Sequence, residues 1–245
     1  MNDTDFSGKT VLVIGGSSGI GNGMAQAFRA RGADVHVWGT RASAADYAEA
    51  DGSDLSGLTY SQVDVSDRAA IDSHQPGFDR LDVLICCQGI VRYGRQEFDP
   101  EGWDAVMAVN LRSVMDCATR FHPMLADTSG SIVIVSSVSA FQSNLGNPAY
   151  AASKAGAVSL TKSLGEAWAR DGIRVNGIAP GLVATKLTEV TTSNEARMEA
   201  VLRAIPLRRT GTPDELAGAA LFLASPLASY VVGETIVVDG GLTLS

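Results

Sequence analysis

The sequence predicts an α/β fold: a single doubly wound domain over residues 1–245, with a parallel sheet of about seven strands and helices on both faces. Three observations carry this. Apolar, β-branched runs alternate with helical patterns from end to end. The runs are apolar throughout rather than at every second residue, as in strands covered on both faces. No internal repeat, low-complexity tract or linker breaks the alternation, which is the pattern of a parallel sheet wound by helices on both sides.

Lys9-Thr-Val-Leu-Val-Ile14 reads as the first, buried strand, and residues 19–30 as a helix with Met24, Ala27 and Phe28 turned inward. Strands follow at residues 34–38, 58–63, 82–86, 131–135 and 173–178, and Thr235-Ile-Val-Val-Asp239 closes the series. Helical patterns lie near residues 102–124, 149–170 and 213–224. The last opens on Thr212-Pro-Asp-Glu215, with an N-cap threonine, a proline at the first helical position and a capping-box glutamate.

Composition narrows the function. With 45% hydrophobic and 19% charged residues, the chain can bury one large core. A net charge of -8 and scattered basic residues argue against nucleic acid and anionic membranes as partners. No apolar run reaches the roughly 18 residues of a membrane span. The opening Met1-Asn-Asp-Thr-Asp-Phe6 lacks the order of a signal peptide. Three cysteines form no disulfide framework, so a cytoplasmic protein is expected. His36, His74 and His122 share no implied site, and neither a metal centre nor a Ser-His-Asp arrangement is visible.

Ligands of such sheets bind beyond the carboxyl ends of the strands. Gly15, Gly39, Asp64, Gly89, Ser137 and Pro180 follow the first six strands, so residues far apart in sequence share one edge. Gly15-Gly-Ser-Ser-Gly-Ile-Gly21 joins strand one to a helix, where glycines let backbone approach a pyrophosphate and the helix N-terminus offers N–H groups. Its spacing is G-x3-G-x-G. Ser137, Tyr150 and Lys154 form an S-x12-Y-x3-K set in which tyrosine and lysine share a helix face. A nearby lysine cation favours the phenolate and brings a phenol toward acid–base work at neutral pH. Taken alone, the set reads equally as a helix-surface pair beside a serine-rich loop.

In order and spacing, Gly15, Gly19, Gly21, Asn110, Ser137, Tyr150 and Lys154 resemble the short-chain dehydrogenase/reductase family. The resemblance runs from Gly8 to Gly241 and includes Asp64-Val65, Asn176-Gly-Ile-Ala-Pro-Gly181 and Val238-Asp-Gly-Gly241. It implies a Rossmann-type domain holding a nicotinamide dinucleotide. Ser17, Ser18, Gly19, Ile20 and Gly21 would belong to its phosphate loop, with Asp64 and Val65 at the adenine and Gln88 and Gly89 after strand four. Pro180, Gly181, Val183 and Thr185 would meet the nicotinamide carboxamide and phosphate. Tyr150 would then be the general acid or base, Lys154 would lower its pKa and hold the nicotinamide ribose, and Ser137 would bind the substrate oxygen. Asn110 would hold a water linking Lys154 to solvent.

Two departures from the family pattern stand out. Ile14 replaces a threonine, and Cys86-Cys-Gln-Gly89 replaces Asn-Asn-Ala-Gly. Together they exchange a polar pair for a more apolar one, so cofactor binding is expected to survive, with buried rather than reactive cysteines. At the end of strand two, Gly39, Thr40 and Arg41 offer room, a hydroxyl and a cation instead of an acid, which favours NADP. NAD is the alternative, because Ser18 stands where many NADP-using relatives carry a second base.

The substrate expected is a small-molecule ketone or secondary alcohol. A 3-oxoacyl-ACP or acyl-CoA reductase is the alternative, disfavoured because Ala126-Asp-Thr-Ser-Gly-Ser131 offers no cation to an acidic carrier protein. A non-catalytic NADP-binding sensor or scaffold is the third reading. Substrate contacts are expected at Ser139, Gln142, Leu145, Leu182 and Leu187, within a pocket also drawing on Ile90, Arg92 and Tyr93. Residues 186–206 are expected to form a lid, and Arg92 to face solvent. The resemblance also implies a homotetramer.

Overall fold

The computed structural model describes residues 4–47 and 52–244. Its strands are β1 Thr10–Ile14, β2 Asp34–Gly39, β3 Thr59–Gln62, β4 Val83–Cys86, β5 Ser131–Val135, β6 Arg174–Pro180 and β7 Thr235–Val238. All pair in parallel, in the order β3-β2-β1-β4-β5-β6-β7. The order turns back between β1 and β4, which opens a crevice at their carboxyl ends. Gly39 and Pro180 are the last residues of their strands rather than the first beyond them.

Alternate strand residues feed two core layers, because successive side chains point to opposite faces. Val11, Val13, Val35 and Ile85 pack with Met24 and Phe28 of α1 (Gly19–Arg29) and Leu216 and Leu221 of α8 (Pro213–Ala224). Leu12, Ile14, Leu84 and Ile132 pack with Phe121 of α4 (Ser113–Thr128) and Leu164 of α5 (Pro148–Trp168). Phe28 and Phe121 are almost wholly buried, and truncating either to alanine would cost about 3–5 kcal/mol. Thr212 and Glu215 form the predicted capping box of α8.

A helix not legible beforehand is α2 (Arg68–Ser73), capped by Asp67; the expected lid, whose Met198, Val201 and Leu202 carry a loose helical pattern, holds the short α6 (Glu189–Thr192) and α7 (Glu195–Ala204). The predicted helix near residues 102–124 is two helices, α3 (Pro100–Met107) and α4, joined by a π-turn at Ala108–Arg112. A π-turn inserts one residue into the ladder and redirects side chains; here Asn110 lies within it. At the far edge, Asn176 of β6 donates to the Val231 carbonyl at 2.8 Å and accepts Glu234 N–H at 3.1 Å, fixing the approach to β7.

Candidate active site

A cleft of about 480 Å³ opens at the carboxyl edge of the sheet. All six strand-end residues line it: Gly15, Gly39, Asp64, Gly89, Ser137 and Pro180. Gly15 and Gly19 have φ of +74° and +56°, the left-handed region that favours glycine. A Cβ on Gly21 would strike the Gly15 carbonyl, so the loop stays narrow only with glycine there. Ser17, Ser18, Gly19, Ile20 and Gly21 face the cleft, and the Ser18 side chain makes no cap bond to α1. Across the cleft, a Cβ on Gly19 would lie 3.3 Å from Cγ2 of Thr185, so the loops after β1 and β6 face each other closely.

The glycine loop is braced from outside. Gly19 N–H donates to the Gly52 carbonyl at 2.9 Å. Asn22 accepts Asp54 N–H and donates to the Asp54 carbonyl, both at 2.8 Å, and donates to the Gly16 carbonyl at 3.2 Å. A backbone cradle with positive-φ glycines at a helix N-terminus suits a pyrophosphate, and the cleft has the volume of a cofactor site.

At the end of β2, a Cβ on Gly39 would sit against the Tyr47 hydroxyl and 2.6 Å from the Ser17 hydroxyl, so a larger residue there would need both to move. Thr40, Asp64 and Val65 line the cleft. Arg41 does not: its guanidinium lies over the Tyr47 ring, 4.5 Å from the centroid, and donates to the Asp46 carbonyl. The expectation that Arg41 lines the cleft is corrected by this turn toward Tyr47.

Tyr150 and Lys154 lie one turn apart on α5, with Asn147 at the N-cap and Pro148 at its first position. Both line the cleft with Ser137. Lys154 is buried; its Nζ donates to the Val135 carbonyl at 2.9 Å and sits 5.8 Å from the Tyr150 ring centroid. Burial pulls its pKa down to about 8. The Tyr150 phenol is raised above its ordinary value, chiefly by burial, with Tyr93, Cys87 and Glu97 adding and the Ser137 hydroxyl opposing. This differs from the expectation that Lys154 lowers the phenol. Loss of solvent outweighs the lysine, whose ammonium is turned onto the Val135 carbonyl.

Asn110 lies behind the cleft rather than in its lining. It accepts Ile90 N–H at 2.8 Å and donates to the Ile90 carbonyl at 2.9 Å and the Ser153 hydroxyl at 3.1 Å. A Cβ on Gly89 would stand 3.5 Å from Lys154 Nζ and 3.7 Å from Asn110 Oδ1, so glycine keeps the space between them open.

Ile14 and Cys86 are opposed across β1 and β4 and share one apolar core layer. Burial raises the Cys87 thiol to about 11, pushes Cys117 to about 12, and lifts Cys86 as well, so all three disfavour thiolate. Gln88 carries the polar link in this turn: its amide donates to the Ser113 hydroxyl at 2.9 Å, which donates to the Val109 carbonyl of the π-turn.

Of Ser139, Gln142, Leu145, Leu182 and Leu187, Leu187 alone lines the cleft. Leu145 is 92% exposed and Gln142 is also exposed. The Ser139 N–H is taken by the Ser137 hydroxyl at 3.1 Å, and its side chain lies outside the lining. Leu182 lines a separate cavity of about 130 Å³ beside Leu207 and Leu216, because its carbonyl accepts Gly211 N–H and ties it to the α8 side. Ile90 and Arg92 line the cleft, Arg92 as the exposed residue expected, and Thr188 joins Leu187 there; Lys186 was missed as a lining residue. Glu97 was missed as well. It is almost wholly buried and accepts the N–H groups of Arg92 (3.0 Å) and Tyr150 (2.8 Å) and the Asn147 amide (3.2 Å). Only its place before Asp99-Pro-Glu101 hinted at a capping role.

Among the described residues, no cluster of His, Cys, Asp or Glu could hold a metal ion, and no helix is long and apolar enough to cross a membrane.

Residues 14–243 match a family profile described as Enoyl-(Acyl carrier protein) reductase. A 3-oxoacyl-[acyl-carrier-protein] reductase FabG of Chlamydia pneumoniae is 39% identical, over 98% of this chain and 99% of its own length. A 2-dehydro-3-deoxy-D-gluconate 5-dehydrogenase of Bacillus subtilis is 37% identical, over 96% of this chain and 95% of its own. The solved structure of a gluconate 5-dehydrogenase from Burkholderia cenocepacia, in complex with NADP and tartrate, superposes with a TM-score of 0.88 at 31% identity, covering 100% of this chain and 98% of that one.

Proposed function

The chain belongs to the short-chain dehydrogenase/reductase family, and from that premise we propose that it interconverts a small-molecule ketone and its secondary alcohol with NADP. One observation carries the reading: Ser137, Tyr150 and Lys154 converge on the cleft that the glycine loop lines. The bound cofactor supplies the hydride. In reduction, the Ser137 hydroxyl holds the carbonyl oxygen and stabilises its developing charge, and Tyr150 Oη delivers the proton. A phenol raised by burial is protonated at neutral pH, so the acid needed for reduction is the standing form. In oxidation, Tyr150 takes the proton from the alcohol. Lys154 supplies positive charge beneath the ring, and Asn110 anchors Ile90 and frames the path from Lys154 outward.

NADP is favoured over NAD because β2 ends in Gly39, Thr40 and Arg41 with no acidic side chain to meet a ribose, and a similar structure is solved in complex with NADP. Gly15, Gly19, Gly181 and Thr185 would hold the phosphates and nicotinamide end. Residues 1–245 are read as one dinucleotide-binding domain of a cytoplasmic protein. Phe222, Leu227, Tyr230, Val232 and Val237 leave exposed apolar surface at α8 and the β7 edge, which supports a homotetramer.

The Tyr150→Phe variant tests the mechanism. It should bind NADPH, followed by cofactor fluorescence, yet lose turnover by about 10²–10⁴-fold. Near-normal turnover would reject it. The second reading, reduction of a 3-oxoacyl group on a carrier protein, is favoured by the similarity to the Chlamydia pneumoniae reductase. Assaying acetoacetyl-ACP beside free ketones separates the two.

A further inference from the structure

Two segments meet across the mouth of the cleft. Tyr93 Oη donates to the Leu187 carbonyl at 2.8 Å, joining residues 94 apart in sequence. Ile90 and Arg92 line the cleft on one side of this contact, Leu187 and Thr188 on the other.

The two sides are held very differently. On the Tyr93 side, Asn110 grips both backbone groups of Ile90, Glu97 accepts Arg92 N–H, and Asn147 donates to the Arg92 carbonyl at 3.0 Å. This arm is fixed to the π-turn and to the head of α5. On the other side, the short turn Lys186–Thr188 is kept in shape by the Thr188 hydroxyl, which donates to the Val183 carbonyl at 2.7 Å and accepts Thr185 N–H. It runs into α6 and α7, neither of which has a buried residue. Elements without buried apolar contacts open at low free energy. A rigid arm and a lightly held one are tied by the Tyr93–Leu187 hydrogen bond.

Such a tie discriminates by size. An extended acyl arm that leaves the cleft between the two segments has to part them. That arm needs carbon contacts of about 3.5–4 Å on each side, whereas the hydroxyl and carbonyl at the mouth are 2.8 Å apart. A compact substrate lies wholly inside and leaves the tie intact.

We propose that Tyr93 is a specificity-determining residue of this site: by latching Leu187 to the fixed loop after β4, it admits compact ketones and alcohols and disfavours carbonyls borne on a long thioester arm. The proposal rests on the carbonyl-reductase reading above and deepens it. Tyr93 acts on which substrate enters; its phenol also adds to the raising of Tyr150, so the substrate ratio and not the rate alone is the readout.

The test uses the full-length protein with NADPH and two probes, ethyl acetoacetate and the 3-oxodecanoyl thioester of N-acetylcysteamine. Wild type should favour the compact ester in kcat/KM. Tyr93→Phe keeps the ring and removes only the donor; it should shift the ratio toward the thioester roughly fivefold, the worth of one neutral hydrogen bond, mostly through KM. Tyr93→Ala should shift it further. Amide hydrogen exchange across residues 186–204, with NADP present, should quicken in Tyr93→Phe. A wild type that prefers the thioester, or a Tyr93→Phe variant with an unchanged ratio or unchanged exchange, overturns the latch. If wild type turns over neither probe and no other ketone in a broad panel, the carbonyl-reductase reading fails instead, and the exchange measurement still decides whether the latch exists.

Discussion

Glu97 accepts the backbone N–H of Tyr150 at 2.8 Å, so the tyrosine of the site hangs from a buried carboxylate on another segment. Its other oxygen accepts from Arg92 and Asn147, which joins the loop after β4 to the first turn of α5. A helix N-terminus has unpaired N–H groups and a positive dipole end, and an anion there satisfies both. In Glu97→Gln, an NH₂ faces a backbone donor that had an acceptor. The variant should lose about 1–3 kcal/mol of stability, visible as a lower midpoint in denaturant. Because the Glu97 charge raises the Tyr150 phenol, the limb of the pH–rate profile set by that phenol should also move to lower pH. An unchanged midpoint would remove Glu97 from this role.

Burial holds Lys154 near pH 8, below its ordinary 10.5. Between those values the unfolded chain carries a proton that the folded chain has released. Stability therefore rises with pH across this window, and the cost of burying the cation is full below about 8. Lys154→Met should abolish turnover and stabilise the fold at pH 7 by roughly 3 kcal/mol, with most of that gain gone at pH 10.5. Urea midpoints at the two pH values decide it; an equal gain at both would show that the charge was not the cause.

Arg41 tests the cofactor choice. Arg41 meets a 2′-phosphate only if its guanidinium leaves Tyr47; in that case replacing it by alanine should lower kcat/KM for NADPH about tenfold while leaving NADH within about twofold. A parallel loss with both cofactors would instead mean that Arg41 only packs against Tyr47 and shapes the loop.

Tyr230 is fully exposed beside β7, among other uncovered apolar side chains. Tyr230→Asp should weaken self-association, and light scattering should report a smaller particle than for wild type. A wild-type protein that scatters as a monomer at all concentrations would end the tetramer proposal.

The strands and the residues at their ends were legible because apolar runs of that length have few alternatives in a parallel sheet, and the six end positions do meet in one cleft. Ser137, Tyr150 and Lys154 were equivocal on spacing alone and became legible only beside the glycine loop, the strand-end positions and the family resemblance. The π-turn at Ala108–Arg112 was not, since a helix with one inserted residue keeps its apolar periodicity nearly intact. The rim was the least legible part. Leu145 and Leu182 look like pocket walls by composition, yet one faces solvent and the other lies behind the cleft, because loop direction depends on distant hydrogen bonds such as Gly211 to Leu182. Glu97 escaped notice because a buried acid on a loop has no signature until its three donors come together from separate segments.

The strand order also governs when this site can exist during synthesis and folding. β1 must pair with β4, Val11 against Val83, after the chain has travelled out through β2 and β3 and returned. That closure is long-range, and contacts of large sequence separation form late and slowly. The crevice between Gly15 and Gly89 appears only with it, so a dinucleotide can recognise the assembled sheet and nothing before it. Ligand that binds only the native chain stabilises it in proportion to the logarithm of its concentration over Kd. Added dinucleotide should therefore slow proteolysis of the native chain by lowering the population of its opened forms.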